Sequence, residues 1–232
     1  MKVIYSDSKK VNWQRTDMHV VKAENHSEVT KKDSVYLLPV DATGEKTEAA
    51  VYVPGYKWKS LDATNDNAYI YFALENYSFF QTATDIIEQD KERKGVFRFR
   101  RIVSNDIGTN VFAGDLYVVS KTLGEPEDIF IKQTDETKTP QHMIALINFG
   151  SGTMAHFEYT VDKGERIELE WSGKKSTISF DSHSTNPFEA DNKDGYSLKY
   201  SVDSIIAKAH PITEELIQTL NKYDEMKGGD VT

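Results

Sequence analysis

The chain has no cysteine among its 232 residues, which excludes a disulfide framework, a thiolate metal site and a cysteine nucleophile. Missing staples matter little at this length, because a chain of this size buries about 70% of the surface its unfolded form exposes. Long apolar runs are also lacking. No stretch approaches the ~20 residues that cross a bilayer, and the opening MKVIYSDSKK has too few apolar residues for a secretory signal peptide. The expected localisation is cytoplasmic as synthesised, with no membrane partner. Basic charge is in deficit: 28 Lys and Arg stand against 37 Asp and Glu, a formal net charge of −9. A body of that sign repels the phosphate backbone, so nucleic acid is not an expected partner.

Motifs that would announce an active site are missing too. His19, His26, His142, His156, His183 and His210 never fall at metal-ligand spacing such as HExxH. Asn192-Lys193-Asp194-Gly195 resembles part of a calcium loop, but its register puts Ala190 and Ser201 where acids are needed. Ser172-Gly173-Lys174-Lys175 matches SxxK only as a turn, without the companion motifs. No Gly-rich phosphate loop follows a strand, and Gly150-Ser151-Gly152 opens no helix. Same-face acids such as Glu168 and Glu170 read as the solvent side of a strand. The expectation is a protein that is not an enzyme and holds no cofactor and no metal.

What the chain does contain is alternation. Within residues 95–133, Phe97 and Phe99 alternate with Arg98 and Arg100, Leu116 and Val118 with Tyr117 and Val119, and Ile129 and Ile131 with Phe130 and Lys132. A period of two predicts three strands. Further strands are expected at residues 2–5, 18–23, 34–39, 48–53 and 67–74. They are separated by turns at Asp41–Gly44, Pro54-Gly55, Asn65–Asn67 and Asn105–Gly108. Residues 84–94, with acids early and bases late, read as a short helix. Beyond a polar stretch, residues 153–161, 166–171 and 176–180 predict a three-stranded meander turned by Asp162-Lys163-Gly164. Residues 196–202 alternate once more. Thr213 is a candidate N-cap for a last helix striped by Leu216, Ile217, Leu220 and Tyr223.

The fold class that follows is mostly β, with two antiparallel β-sandwich-like sections and a short C-terminal α-helix. The expected organisation is an N-terminal β-sandwich-like domain at 1–133, a polar linker at 134–140, a C-terminal antiparallel β section at 141–210, and a short helix with a frayed tail at 211–232. Two clusters are candidate binding sites. Tyr56 and Trp58 are the members of an aromatic run between Val51 and Phe80 expected at the surface, where they could stack on a sugar or anchor a protein. Arg98, Arg100 and Arg101 belong to a basic cluster that could meet an acidic partner. The competing reading places Arg98 and Arg100 on the wet face of a strand.

Gly95-Val96-Phe97-Arg98-Phe99, Phe112-Ala113-Gly114-Asp115-Leu116-Tyr117 and Ile129-Phe130-Ile131, with the turn at Val40–Gly44 upstream, form a glycine-and-aromatic strand pattern. It resembles the N-terminal β-sandwich domain of baseplate upper (adaptor) proteins of phages of Gram-positive bacteria, over at most residues 1–133. The resemblance implies a non-enzymatic structural or adaptor protein, a tail or baseplate component of a virion, working by protein–protein contacts in an oligomeric assembly. Two other readings stand beside it. One is a carbohydrate- or receptor-binding module meeting a cell-surface glycan through Tyr56 and Trp58. The other is an acidic intracellular inhibitor of a host defence complex.

Overall fold

The computed structural model describes residues 1–42, 48–60, 67–105, 108–135, 138–184 and 196–226. Parts of the turns expected at 41–44, 65–67 and 105–108, the Asn192–Gly195 loop, part of the polar stretch at 134–140 and the tail beyond 226 lie outside the described residues. In chain order the elements are β1 (Lys2–Tyr5), β2 (Val11–Asn12), β3 (Val20–Lys22), β4 (Val35–Leu38), β5 (Ala50–Pro54), β6 (Ala68–Tyr71), α1 (Ala73–Asn76), α2 (Ser78–Glu88), β7 (Gly95–Val103) and α3 (Val111–Leu123). They continue with β8 (Asp128–Gln133), β9 (Gln141–Asn148), β10 (Thr153–Val161), β11 (Arg166–Gly173), β12 (Thr177–Asp181), β13 (Tyr200–Ser201), α4 (Val202–Lys208), β14 (His210–Pro211) and α5 (Glu214–Glu225). They build two compact units.

The first unit comprises Met1–Ser78 and Leu198–Leu220. Its main sheet has the order β14-β6-β5-β1-β4-β3, in which only β14 is antiparallel to its neighbour. Val3-Ile4-Tyr5, Val35-Tyr36-Leu37-Leu38 and Val51-Tyr52-Val53 are unbroken apolar runs, and all of these residues are buried. A strand wet on one face alternates, whereas a parallel strand covered on both faces does not. Parallel neighbours need crossovers of about a dozen residues, usually containing an α-helix. Here the crossovers carry short 3-10 turns at His26–Glu28, Val40–Ala42 and Gly55–Ser60, with no α-helix among the described residues before α1.

The second unit comprises Phe79–Ser197 and Asn221–Thr232. Its sheet runs β12-β11-β7-β10-β9-β8, and only the β7–β10 pair is parallel. The meander expected at 153–180 is not formed as such, because β7 lies between β10 and β11, while β11 and β12 do pair antiparallel. One face is the core. It carries Phe97 and Phe99 of β7, Phe157 and Tyr159 of β10, and Leu169 and Trp171 of β11, all buried. Gly95 opens β7 for a packing reason: a Cβ there would lie 2.6 Å from the Ser172 carbonyl oxygen and 2.9 Å from the Trp171 ring.

The strand expected around Leu116–Val119 is instead part of α3. Phe112, Leu116, Val119 and Leu123 recur at helical spacing and are buried, and the Phe112 ring lies 6.3 Å from Phe157 and 6.0 Å from Tyr159. Gly124, at φ 103°, ends the helix with its N–H bonded to the Ser120 carbonyl. The helix expected at 84–94 starts earlier, as α2. Thr213 accepts from the Leu216 N–H at 3.2 Å, which is the cap expected for the last helix. The mostly β, double-sandwich expectation is thus corrected to a mixed α/β fold, whose first sheet is parallel but for β14. Among the described residues, no helix is long and apolar enough to cross a membrane.

α3 and the second sheet are also joined by charge. Arg101 and Asp115 are 1% and 2% exposed. The Arg101 Nη1 donates to both Asp115 oxygens at 2.8 and 2.9 Å, its Nη2 donates to Glu165 at 3.1 Å, and the Tyr159 hydroxyl donates to Asp115 at 3.1 Å. Burial pushes the Asp115 carboxyl up while Arg101 pulls it back, and burial raises the Tyr159 hydroxyl well above its usual range. Removing one member of such a pair leaves the other charge stranded. Asp115→Ala is expected to lower stability by about 3–5 kcal/mol in urea denaturation, and Arg101→Met with Asp115→Leu to recover most of that loss. A single substitution no less stable than the parent would show that the pair is dispensable.

On the opposite, open face, the Arg166 Nε and Nη2 donate to Asp181 at 3.1 and 2.7 Å, and these bonds hold the Asp181 carboxyl below its ordinary value. A carboxyl lowered in the folded state stabilises the protein above its unfolded pKa, ~3.9, and that stabilisation fades as pH falls through the lowered value. The difference in melting temperature between the parent and Arg166→Gln is therefore expected to be larger at about pH 7 than at about pH 3. A constant difference would detach Asp181 from Arg166.

Candidate functional site

In open parallel sheets, ligands bind outside the carboxyl ends of the strands. In the first unit that edge is formed by the residues that follow β1, β4, β5 and β6. Beyond β1, the Ser6 N–H bonds the Leu38 carbonyl at 2.9 Å, which ties the end of β1 to that of β4. The Tyr71 hydroxyl, at the end of β6, donates to the Tyr5 carbonyl at 2.7 Å and also contacts the Ser6 and Tyr200 hydroxyls. Burial raises the Tyr71 hydroxyl far above its ordinary value, so it stays a neutral donor. Tyr5 is further joined to His26 through its hydroxyl.

The edge also holds a pair suited to proton transfer. Glu75 lies in α1, just past β6, and His210 lies on β14, whose register sets it opposite Ile70 of β6. The His210 Nε2–H donates to the Glu75 Oε2 at 2.8 Å, and the two side chains are 23% and 12% exposed. Local chemistry places them. Ser201 caps α4 by accepting from the Ser204 N–H at 3.0 Å, and Val202 and Ile205 bury that helix. α4 ends at Lys208, whose Nζ donates to the Glu75 carbonyl at 3.0 Å. Asn76 is fixed by a bond from its Nδ2 to the Phe72 carbonyl at 2.8 Å, and it accepts from the Ser204 hydroxyl at 2.7 Å. The Phe72 ring lies 5.6 Å from the His210 ring. A half-buried imidazole oriented by a carboxylate is an acid–base unit.

Of the residues singled out in the sequence, Tyr56 reaches this edge. It lies in the 3-10 turn after β5, is partly exposed, and adds its charge effect to Tyr71. Trp58, expected beside it at the surface, is 3% exposed and belongs to the core. The fold does not bring the arginines here. Arg98 and Arg100 line the open face of the second sheet, paired with Glu170 at 2.7 Å and with Glu158 and Glu168 at 3.3 and 3.8 Å. They border a shallow hollow of about 470 Å³ together with His156, Phe180 and Asp181. Arg101 points to the other face and is locked in the core. Glu75, Lys208 and His210 were not singled out together, because 135 residues separate Glu75 from His210. The cue available in the sequence was a histidine just behind a capped, apolar helix turn.

A parallel sheet of this kind suggests a dinucleotide, so the end of β1 is the place to test the fit. A dinucleotide site there uses a Gly-x-Gly-x-x-Gly turn that opens a helix, whose free N–H groups receive the diphosphate. This chain has Ser6-Asp7-Ser8-Lys9-Lys10 after β1, and its first glycine is Gly44. The turn closes on itself, with the Lys9 N–H bonded to the Asp7 side chain at 2.9 Å and the Lys10 N–H to the Asp7 carbonyl at 2.9 Å. These residues do not fit a dinucleotide diphosphate. Among the described residues, no group of three or more His, Asp or Glu side chains is placed to hold a metal ion.

No protein-family model matches the sequence, and no curated protein matches it. Solved structures do share the fold. A probable dehydrogenase from Thermotoga maritima matches with a TM-score of 0.56 at 12% identity, over 99% of this chain and 89% of that one. A dehydrogenase from Chromobacterium violaceum matches with a TM-score of 0.57 at 11% identity, over 99% and 95% of the two chains. At such identities the likeness is one of fold. It overturns the resemblance to phage baseplate adaptors and the structural, virion role that rested on a β-sandwich, and it corrects the non-enzymatic expectation drawn from the missing motifs. The architecture of this chain is the α/β architecture of those two dehydrogenases.

Proposed function

We propose that the chain is an enzyme built on this dehydrogenase-like fold, acting by proton transfer on a small polar substrate at the carboxyl edge of the first sheet. The observation that carries the reading is the His210–Glu75 pair, 2.8 Å apart where such sheets take their ligands. Glu75 orients the imidazole, and His210 exchanges a proton with the substrate. Lys208, bonded to the Glu75 carbonyl, brings a positive charge to the same cluster that favours a substrate with an oxyanion or carboxylate. The likeness to two dehydrogenases supports an enzyme over a scaffold, and by itself it favours a second reading, oxidation of an alcohol with a nicotinamide acceptor. The turn after β1 speaks against that second reading.

The test uses deuterium incorporation from heavy water into carbon-bound positions of dihydroxyacetone and pyruvate, followed by NMR. The parent protein is expected to exchange these positions above the uncatalysed background, and His210→Gln to lower the rate about 100-fold while its melting curve stays close to that of the parent. Exchange equal to background on both probes, or an unchanged rate in His210→Gln, would remove the reading. Formation of reduced nicotinamide with polyols, followed by absorbance, would support the second one.

A further inference from the structure

We infer that this chain closes the dinucleotide crevice of its parallel sheet with its own C-terminal segment and does not take a nicotinamide dinucleotide there. The inference goes beyond the acid–base reading and does not depend on it. Where a dinucleotide fold would start a helix after the first strand, this chain runs out to β2, and β2 pairs in parallel with β13. The Tyr200 N–H bonds the Lys10 carbonyl at 3.1 Å, so residues far along the chain are laid against the segment that would cradle a diphosphate. The strap is packed, with Tyr200 5% exposed and Val202 fully buried.

Side chains fill what remains. The Tyr200 ring lies 6.0 Å from Tyr71 and 5.7 Å from Tyr77, and all three rings are buried at the carboxyl edge. The Tyr71 hydroxyl takes the Tyr5 carbonyl, so the end of β1 is met by a phenol. The strap is pinned a second time, where the Thr16 hydroxyl donates to Asp203 at 2.6 Å. At the exposed turn, Asp7 takes up the Lys9 N–H with its carboxylate and the Lys10 N–H with its carbonyl, where the dinucleotide fold offers free N–H groups and a helix dipole. Any one of these features would weaken a dinucleotide site. Together they replace it.

The experiment measures binding directly on the full chain, apart from any activity. Oxidised and reduced nicotinamide dinucleotides, with and without the 2′-phosphate, are titrated by calorimetry and by nicotinamide fluorescence up to about 1 mM. The expected result is no saturable binding. Should saturation occur, the same titration of Asp7→Arg identifies the place, since a diphosphate at the end of β1 would bind at least several-fold more tightly to the arginine variant. Saturable binding strengthened by Asp7→Arg overturns the inference; binding indifferent to that substitution lies elsewhere and leaves the crevice closed. Deuterium exchange by the parent protein without any dinucleotide is a separate result, so failure of the acid–base reading and failure of this inference are told apart.

Discussion

Burial on both faces is the constraint on which the first unit depends. Parallel strands cannot leave one face to water, and helical crossovers are the usual cover. In this chain the described residues between β1 and β6 contain short strands and 3-10 turns but no α-helix. On one face Tyr5, Tyr36, Val51 and Val53 of the strands themselves join a buried cluster with Ala23 and Ala49, and Tyr71, Tyr77 and Tyr200 pack together at the carboxyl edge. Tyrosine suits such places, because its ring fills volume while its hydroxyl can donate to a backbone carbonyl or accept from backbone N–H groups. The bond from Tyr71 to the Tyr5 carbonyl and the bonds from the Thr30 and Lys31 N–H groups to the Tyr36 hydroxyl are two instances.

That solution has a chemical consequence. Among the described residues, phenol rings gather at the carboxyl end of β1, where the Tyr71 hydroxyl meets the Tyr5 carbonyl, and the partly exposed His210–Glu75 pair lies at β6 and β14. Glu75, Lys208 and His210 meet there because α4 is capped by Ser201 and anchored by Val202 and Ile205, and because β14 pairs with β6. The second unit shows the opposite use of charge. Its Arg101–Asp115 pair is fully buried and serves packing between α3 and the sheet, while Arg98, Arg100 and Arg166 form exposed ladders with Glu158, Glu168, Glu170 and Asp181. Exposed pairs of that kind contribute roughly 0–1 kcal/mol each, so the buried pair dominates the electrostatics of the unit.

The legible and illegible parts of the chain divide by physical cause. Alternation in β7, β10 and β11 was readable, since one face of that sheet is core and the other is wet. In β7 the reading separated Phe97 and Phe99 from Arg98 and Arg100 correctly. Alternation does not report partners, so the insertion of β7 between β10 and β11 was hidden. Leu116 to Val119 misled because a buried helix rich in β-branched residues has the composition of a strand. Gly124 and Pro126 were its stop signals. The unbroken runs in β1, β4 and β5 lack a wet face, which is the mark of a parallel sheet. Trp58 was expected outside because it sits in a turn, yet the turn folds it inward to 3% exposure.

From the sequence alone came the absence of cysteine chemistry, the acidic balance, the strand periodicities, the Thr213 cap and the lack of a glycine turn after β1, all of which are local or compositional. Tertiary structure decided the rest, because it depends on pairing between distant segments. Parallel against antiparallel pairing separates this dehydrogenase-like fold from a sandwich, and it is set by which buried faces meet. The His210–Glu75 pair and the Tyr200 strap each join residues more than a hundred positions apart. No local pattern encodes such meetings; they exist only once the first unit has brought its distant segments together.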